Sequence, residues 1–125
     1  MRGTSRIVLL ACFLAIASTR SYAEMFPSGL PEVPLTQQDY DEMSAARQPL
    51  LTDDSLPIGT TREWNNAKSG NHGTIQLLGR FEYTYQGSKL PCRKLRYHVV
   101  TKDIADPYNF ILNRCKVADG SWKIL

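Results

Sequence analysis

The clearest periodic pattern in the chain lies between residues 74 and 85. Its odd positions hold apolar or aromatic residues, namely Ile75, Leu77, Phe81, Tyr83 and Tyr85. Strict alternation with polar residues over this length predicts a strand with one buried face, so we expect the aromatic side chains to lie mostly in the core. Gly79 interrupts the pattern and predicts a bulge or bend.

Two further alternating segments, residues 92–101 and 108–117, predict an antiparallel pair of strands. A register in which Leu95 faces Leu112 and Tyr97 faces Phe110 also places Cys92 directly opposite Cys115. Directly opposed residues have Cα atoms about 4.5–5.5 Å apart, a separation that suits a disulfide. Hydrophobic matching and disulfide geometry therefore select the same register.

Turn residues separate these segments. Gln86-Gly87-Ser88 predicts a turn after the first strand, and Asp106-Pro107 predicts another before the third. Asp119-Gly120 is a hairpin signal that leads into a short last strand at residues 121–124. We therefore expect a small, curved antiparallel sheet of about four strands.

A helix is predicted over residues 36–48. Thr36 and Asp39 have the spacing of a capping box, and Pro49 is expected to weaken the last turn. Three- and four-residue spacing produces an apolar stripe with one basic interruption, formed by Tyr40, Met43, Arg47, and Leu50 or Leu51. One helix packed on an antiparallel sheet indicates the α+β class.

Residues 1–23 have the pattern of a secretory signal peptide. Arg2 and Arg6 precede an apolar run over 7–17, and Ser21-Tyr22-Ala23 predicts cleavage after Ala23. Eleven residues at about 1.5 Å rise span roughly 17 Å, well short of the ~30 Å hydrocarbon layer. Residues 24–35 are rich in proline and predict a tether, which leaves 36–125 as the folded domain.

Cys12 leaves an alternative open, because Leu9-Leu10-Ala11-Cys12 partly matches the box that precedes a lipid-modified cysteine. Cleavage before Cys12 would leave the apolar residues 13–16 in the mature protein, so cleavage after Ala23 is favoured. Membrane association is then peripheral at most, unless Cys12 is lipidated.

Charge is segregated along the chain. The formal net charge of +3 comes from the predicted signal peptide, since Arg2, Arg6 and Arg20 all precede residue 24. Residues 24–57 contain seven acidic residues and one basic residue, whereas residues 58–125 contain five acidic and eleven basic residues. Either the two parts pack together and neutralise each other, or the second presents a basic face to an acidic partner. The near-zero balance after residue 23 is no argument for nucleic-acid binding.

Candidate catalytic and metal-binding groups are sparse. Cys92 and Cys115 are the two cysteines beyond residue 23 and predict a disulfide, which implies an oxidising compartment. His72 and His98 are isolated from other ligating or nucleophilic residues. We therefore expect no catalytic site, no metal and no cofactor.

A basic stripe in the second predicted strand is the main candidate for contact with a partner. It is formed by Arg93, Lys94, Arg96 and His98, of which the last three share one side of the strand. A solvated sheet face is the alternative interpretation of the same residues.

An ordered set of residues runs through the domain: Gly59-x4-Trp64-x-Asn66, Ser69-Gly70-x2-Gly73, Cys92-Arg93 and Cys115-x3-Asp119-Gly120-x-Trp122-x-Ile124. This set resembles the C-terminal domain of the 17-kilodalton outer-membrane surface antigen family. The resemblance implies an envelope protein without known enzymatic activity, built as a helix on a small antiparallel sheet. We expect a fold-supporting role for Gly59, Trp64, Gly73, Asp119, Gly120 and Trp122. The last hairpin is also similar to that of cone-shaped folds such as nuclear transport factor 2.

These features together predict a non-enzymatic protein of the bacterial periplasm or outer membrane. Its expected role is that of a structural or interaction subunit, accessory to an envelope or secretion assembly, with other envelope proteins as partners. The alternative is a small periplasmic module that binds a ligand or inhibits a hydrolase.

Overall fold

The structure is a computed structural model and describes residues 33–125. The predicted signal peptide, Cys12 and the predicted tether up to residue 32 lie outside this range. Of the tether, Val33 and Leu35 have no regular secondary structure and pack against the hydrophobic core.

The helix, α1, spans Gln37–Thr52 and begins with the predicted capping box. Thr36 Oγ1 accepts a hydrogen bond from the Asp39 amide at 3.2 Å, and the Asp39 carboxylate accepts one from the Thr36 amide at 2.8 Å. The predicted end at residue 48 was wrong, because α1 continues through Pro49. The turn after the proline is held by the burial of Leu50 and Leu51, which offsets the missing backbone donor. Within residues 33–125 no helix has the length and apolar character needed to cross a membrane.

The α+β class is confirmed, and the sheet is an antiparallel meander in which each strand pairs with the next along the chain. It has five strands rather than about four. Their bounds are β1 Thr61–Asn65, β2 His72–Tyr85, β3 Ser88–Val100, β4 Tyr108–Lys116 and β5 Trp122–Ile124. The missed strand is β1, an edge strand in which only Trp64 is buried, so it carries almost no alternation.

The predicted register between β3 and β4 is confirmed. Leu95 pairs with Leu112, Tyr97 with Phe110, and Cys92 with Cys115. The two cysteines form a disulfide with Cα atoms 4.0 Å apart, and both are fully buried. The covalent link therefore fixes the alignment that the apolar pairs also favour.

The core lies between α1 and one face of the sheet. The helix contributes Met43, Leu50 and Leu51, and the strands contribute Trp64, Ile75, Leu77, Leu95, Tyr97 and Val99. Tyr97 stacks on Phe110 with ring centroids 5.0 Å apart. Each fully buried large side chain of this kind contributes about 1.5–3 kcal/mol relative to exposure.

A buried polar cluster fixes the start of α1 to the β1–β2 loop. It consists of Asp39, Asn66, Ser69 and Asn71, which we call the Asp39 cluster. The Asp39 carboxylate is fully buried and accepts hydrogen bonds from the side chains of Asn66, Ser69 and Asn71 at 2.7, 2.6 and 2.8 Å. Burial raises the pKa of Asp39, but these bonds and the Thr36 amide outweigh it and hold the pKa well below its usual range.

Gly73 allows a close approach between neighbouring strands. A Cβ at this position would overlap the backbone carbonyl oxygen of His98 and lie 3.0 Å from Trp64 Nε1. Because glycine has no Cβ, the buried Trp64 ring and the backbone of β3 can both pack against this position.

The predicted hairpin at Asp119-Gly120 is present between β4 and β5, with residues 117–121 as its loop. Gly120 has φ +86°, a left-handed conformation that glycine adopts without strain. Asp119 Oδ1 accepts a hydrogen bond from the Ser121 amide at 2.8 Å. The loop returns the chain so that Trp122 reaches the core side of the sheet, where it packs against the hydrophobic cluster.

Candidate functional site

The two faces of the sheet differ in what covers them. We call the face that packs against α1 the covered face and the opposite one the open face. Directly paired residues of antiparallel strands point to the same side, so the register assigns each side chain to a face. Among the residues that the structure describes, no helix lies on the open face.

A row of basic residues runs along β3 on the open face. Lys94 and Arg96 are exposed and His98 is half-buried. The Arg96 guanidinium donates a long hydrogen bond of 3.4 Å to Gln76 Oε1, and His98 Nδ1 lies 2.6 Å from Asn109 Oδ1. Within residues 33–125 no carboxylate forms an ion pair with Lys94 or Arg96, so both remain available to a partner's acidic groups.

Arg93 is separated from this row by the sheet itself. It lies on the covered face with only 8% of its surface exposed, where it donates to Asp54 Oδ1 at 2.8 Å. Its guanidinium also sits 5.2 Å from the centre of a Trp122 ring, in cation–π contact. The structure therefore brings together Lys94, Arg96 and His98 but not Arg93.

Asp54 links the acidic and basic halves of the chain. Its carboxylate pairs with Arg93 at 2.8 Å and lies 3.9 Å from Arg80 Nε. Arg80 also donates to the Leu56 carbonyl at 2.6 Å. The acidic part of the chain thus neutralises Arg80 and Arg93 on the covered face, whereas Lys94 and Arg96 on the open face form no ion pair within residues 33–125.

The bulge predicted at Gly79 changes the role of the aromatic residues that follow it. Leu77 pairs with Leu95, but Gly79 pairs with Lys94, so one residue is added to β2 between these pairs. An added residue moves all later side chains to the other face. Phe81 and Tyr83 therefore lie on the open face opposite Cys92 and Leu90, and the expectation that Tyr83 and Tyr85 belong to the core was wrong.

Ile111 is a residue of this surface that the sequence analysis did not single out. It pairs with Arg96 and has 47% of its surface exposed, although isoleucine is among the residues that are most often buried. The predicted register already placed Ile111 opposite Arg96, so the signal was present. An exposed aliphatic side chain beside an unpaired cation is a combination found at protein interfaces.

The disulfide belongs to the open face, since Cys92 and Lys94 share the same side of β3. Both sulfur atoms are oxidised in the bond, which leaves neither as a nucleophile. At the surface, the face therefore presents cations, aromatic rings and Ile111.

A shallow groove of about 490 Å³ lies where β1, β2 and β3 meet, and Glu63, His72, Thr74 and His98 line part of it. In the range 33–125 no three histidine, cysteine or acidic side chains are grouped closely enough to hold a metal ion. The groove therefore offers a polar extension of the open face, and it brings the two histidines to one end of the basic row.

Comparison with known proteins yielded no relative for this chain: neither a scan of protein-family models nor searches of curated proteins and of solved structures produced a match.

Proposed function

We propose that this protein is an exported, non-enzymatic interaction subunit of the bacterial cell envelope and that its open face contacts an acidic surface of a partner envelope protein. The observation that carries the proposal is the row of Lys94 and Arg96, exposed and without acidic partners among the described residues, on a sheet face that α1 leaves uncovered. Unpaired cations beside an opposite potential speed encounter and set the orientation of a complex.

The neighbours of the basic row favour a protein as the partner. Ile111 is exposed and pairs directly with Arg96, and the exposed Tyr83 lies on the same face of the sheet, opposite Leu90 near the start of β3. Interfaces between proteins are enriched in arginine and tyrosine, and their buried centres are more apolar than the rest of the surface. A surface for a diffuse polyanion would need the cations but would gain little from Ile111.

The proposed location is the periplasm or the outer membrane. The disulfide supports it, because such bonds persist in oxidising compartments and are rare in the cytosol. The predicted signal peptide over residues 1–23 and the resemblance to the surface antigen family point the same way. The predicted likeness to cone-shaped folds remains a prediction, and the proposed function does not depend on it.

Site-specific photo-crosslinking in intact cells tests the contact. A photoreactive residue at position 111 should form a discrete adduct with an acidic envelope protein, whereas one at the exposed loop residue Ile58 should not. Lys94→Glu combined with Arg96→Glu should remove most of the adduct at 111. The matched control is Lys68→Glu with Lys102→Glu, since both lysines are exposed in loops away from the strands.

Equal adducts at positions 111 and 58, or an adduct that survives charge reversal at Lys94 and Arg96, would contradict the proposal. Mass spectrometry of the mature N-terminus, run on the same cells, should show a chain that begins at residue 24. A lipid-modified Cys12 at the N-terminus would instead replace peripheral association by a membrane anchor.

A further inference from the structure

A second candidate site lies on the covered face, on the other side of the sheet from the proposed contact. It is a cleft of about 90 Å³ between α1 and strands β4 and β5. Its walls are mainly apolar and include Leu35, Met43, Phe110 and Leu112. Arg47, the basic interruption of the helix stripe, also enters this cleft.

Two arginines line the cleft beside the Tyr97 hydroxyl group. Arg47 Nη1 donates to this hydroxyl at 3.5 Å, and Arg114 lines the same cleft on β4. Burial lowers the pKa of Arg114, and the nearby positive charge of Arg47 lowers it further, although Tyr97 opposes the shift. Both arginines therefore line one cleft, where their like charges repel each other.

Neither arginine is neutralised by the described chain. The ion pairs within residues 33–125 both use Asp54, with Arg80 and Arg93 as partners. The Nε atoms of Arg47 and Arg114 are buried and have no hydrogen-bond partner in this range. Both arginines are half-buried, and partly buried cations that lack an anion are costly, more so when two of them lie at one place.

We infer that this cleft binds a small apolar carboxylic acid, with its carboxylate held between Arg47 and Arg114 and its aliphatic part against Met43, Phe110 and Leu112. The planar guanidinium group presents its donors in a fork that matches a carboxylate. A cleft of about 90 Å³ admits a short aliphatic chain but not a drug-sized molecule. The positive charges of the two arginines and the apolar walls therefore favour the same kind of ligand, a short aliphatic carboxylate.

Hexanoate is a suitable probe, with hexanamide as its uncharged match. Titration of the purified protein, followed by the ¹⁵N–¹H signals of the arginine Nε–H groups, should show saturable shifts at Arg47 and Arg114 with hexanoate. Hexanamide at the same concentrations should leave both signals in place. Hexanoate should also raise the melting temperature in a saturable manner, because a ligand stabilises the state that binds it.

Arg114→Met should weaken hexanoate binding at least tenfold, because the carboxylate loses one of its two partners. The melting temperature of this unliganded variant should be equal to or higher than that of the parent, because a buried unpaired charge is removed. Arg47→Met serves as a second variant, and Arg96→Met on the open face should bind hexanoate as the parent does.

Three results would overturn the inference. They are equal responses to hexanoate and hexanamide, unchanged hexanoate affinity in both cleft variants, or a Glu32→Gln variant whose Arg47 and Arg114 signals shift without added ligand. The last result would mean that the chain's own carboxylate, one residue before Val33, occupies the cleft. Failure here would leave the open-face proposal intact, since the crosslinking test involves neither Arg47 nor Arg114.

Discussion

The covered and open faces of the sheet place the same residue type in opposite settings. Arg93 and Arg96 are three positions apart on β3, yet Arg93 is buried against Asp54 and Trp122, whereas Arg96 is exposed and bonds only weakly to Gln76. The difference shows that a basic run in a strand is not one site. Alternation divides it into a part that supports the fold and a part that can meet a partner.

The comparison also holds for the polar groups. The covered side depends on a carboxylate, Asp39, that is fully buried and satisfied by neutral donors. The open face instead carries charges exposed to solvent, whose pairing contributes little to stability. We therefore expect substitutions on the covered side to change the free energy of unfolding, and charge substitutions on the open face to change binding.

The largest expected change in the free energy of unfolding comes from Asp39→Ala. It would show that stability depends mainly on the covered side of the sheet. The change leaves buried donors of Asn66, Ser69 and Asn71 without an acceptor, so the free energy of unfolding should fall by about 4 kcal/mol. Urea denaturation at neutral pH measures it. The control is Asp41→Ala on the same helix, where the exposed carboxylate accepts a hydrogen bond from Gln37 at 3.1 Å.

The same residue predicts a pH dependence. The folded state lowers the pKa of Asp39, so its contribution is present above the pKa of the unfolded chain, near pH 4, and is lost as the pH falls further. The difference in unfolding free energy between the parent and Asp39→Ala should therefore shrink below about pH 4. A constant difference from pH 6 to pH 2.5 would contradict the assignment.

Removal of the disulfide tests whether the open face contributes to stability through its one covalent link. Cys92→Ala with Cys115→Ala should lower the free energy of unfolding by about 3 kcal/mol, the value expected for a loop of this length. The sequence separation of the two cysteines is 23 residues. Reduction of the parent protein should produce the same loss, and an unchanged denaturation midpoint in both experiments would contradict it.

Gly73→Ala has the smallest of the expected stability effects and probes the close approach beneath Trp64. The added Cβ overlaps the His98 carbonyl, so the strands must separate, at a cost of about 2 kcal/mol. Gly79→Ala in the same strand is the matched control, because nothing lies within 4 Å of its added Cβ. Similar denaturation midpoints for the two variants would show that the strands adapt without cost.

The sequence was sufficient for the elements that depend on local patterns. The capping box at Thr36, the hairpin at Asp119-Gly120 and the register that joins Cys92 to Cys115 follow from spacing alone, and the structure contains all three. Alternation along β3 also predicted that Lys94, Arg96 and His98 share one side of the strand, and the structure places Arg93 on the other side. Arg93 was nevertheless included among the candidate contact residues because it is close to them in sequence.

The remaining features depend on contacts between distant parts of the chain. The bulge near Gly79 was predicted, but its effect on Tyr83 was not. The pairing of β2 with β3 decides which face of the sheet the residues after the bulge occupy, and the sequence of β2 alone does not contain that pairing. The Asp39 cluster joins residues 27 to 32 positions apart, and no periodic pattern reports such a contact. The placement of Arg47 and Arg114 in one cleft could not be predicted for the same reason.

The meander order of the sheet has a consequence for how the chain folds. Because every strand pairs with its immediate neighbour along the chain, each hairpin needs only a short loop to close, and contacts of this kind favour rapid folding. The bridged strands β3 and β4 are themselves neighbours, so Cys92 meets its correct partner as soon as that hairpin forms. The disulfide between Cys92 and Cys115 can therefore form once this hairpin has formed, before α1 packs on the sheet.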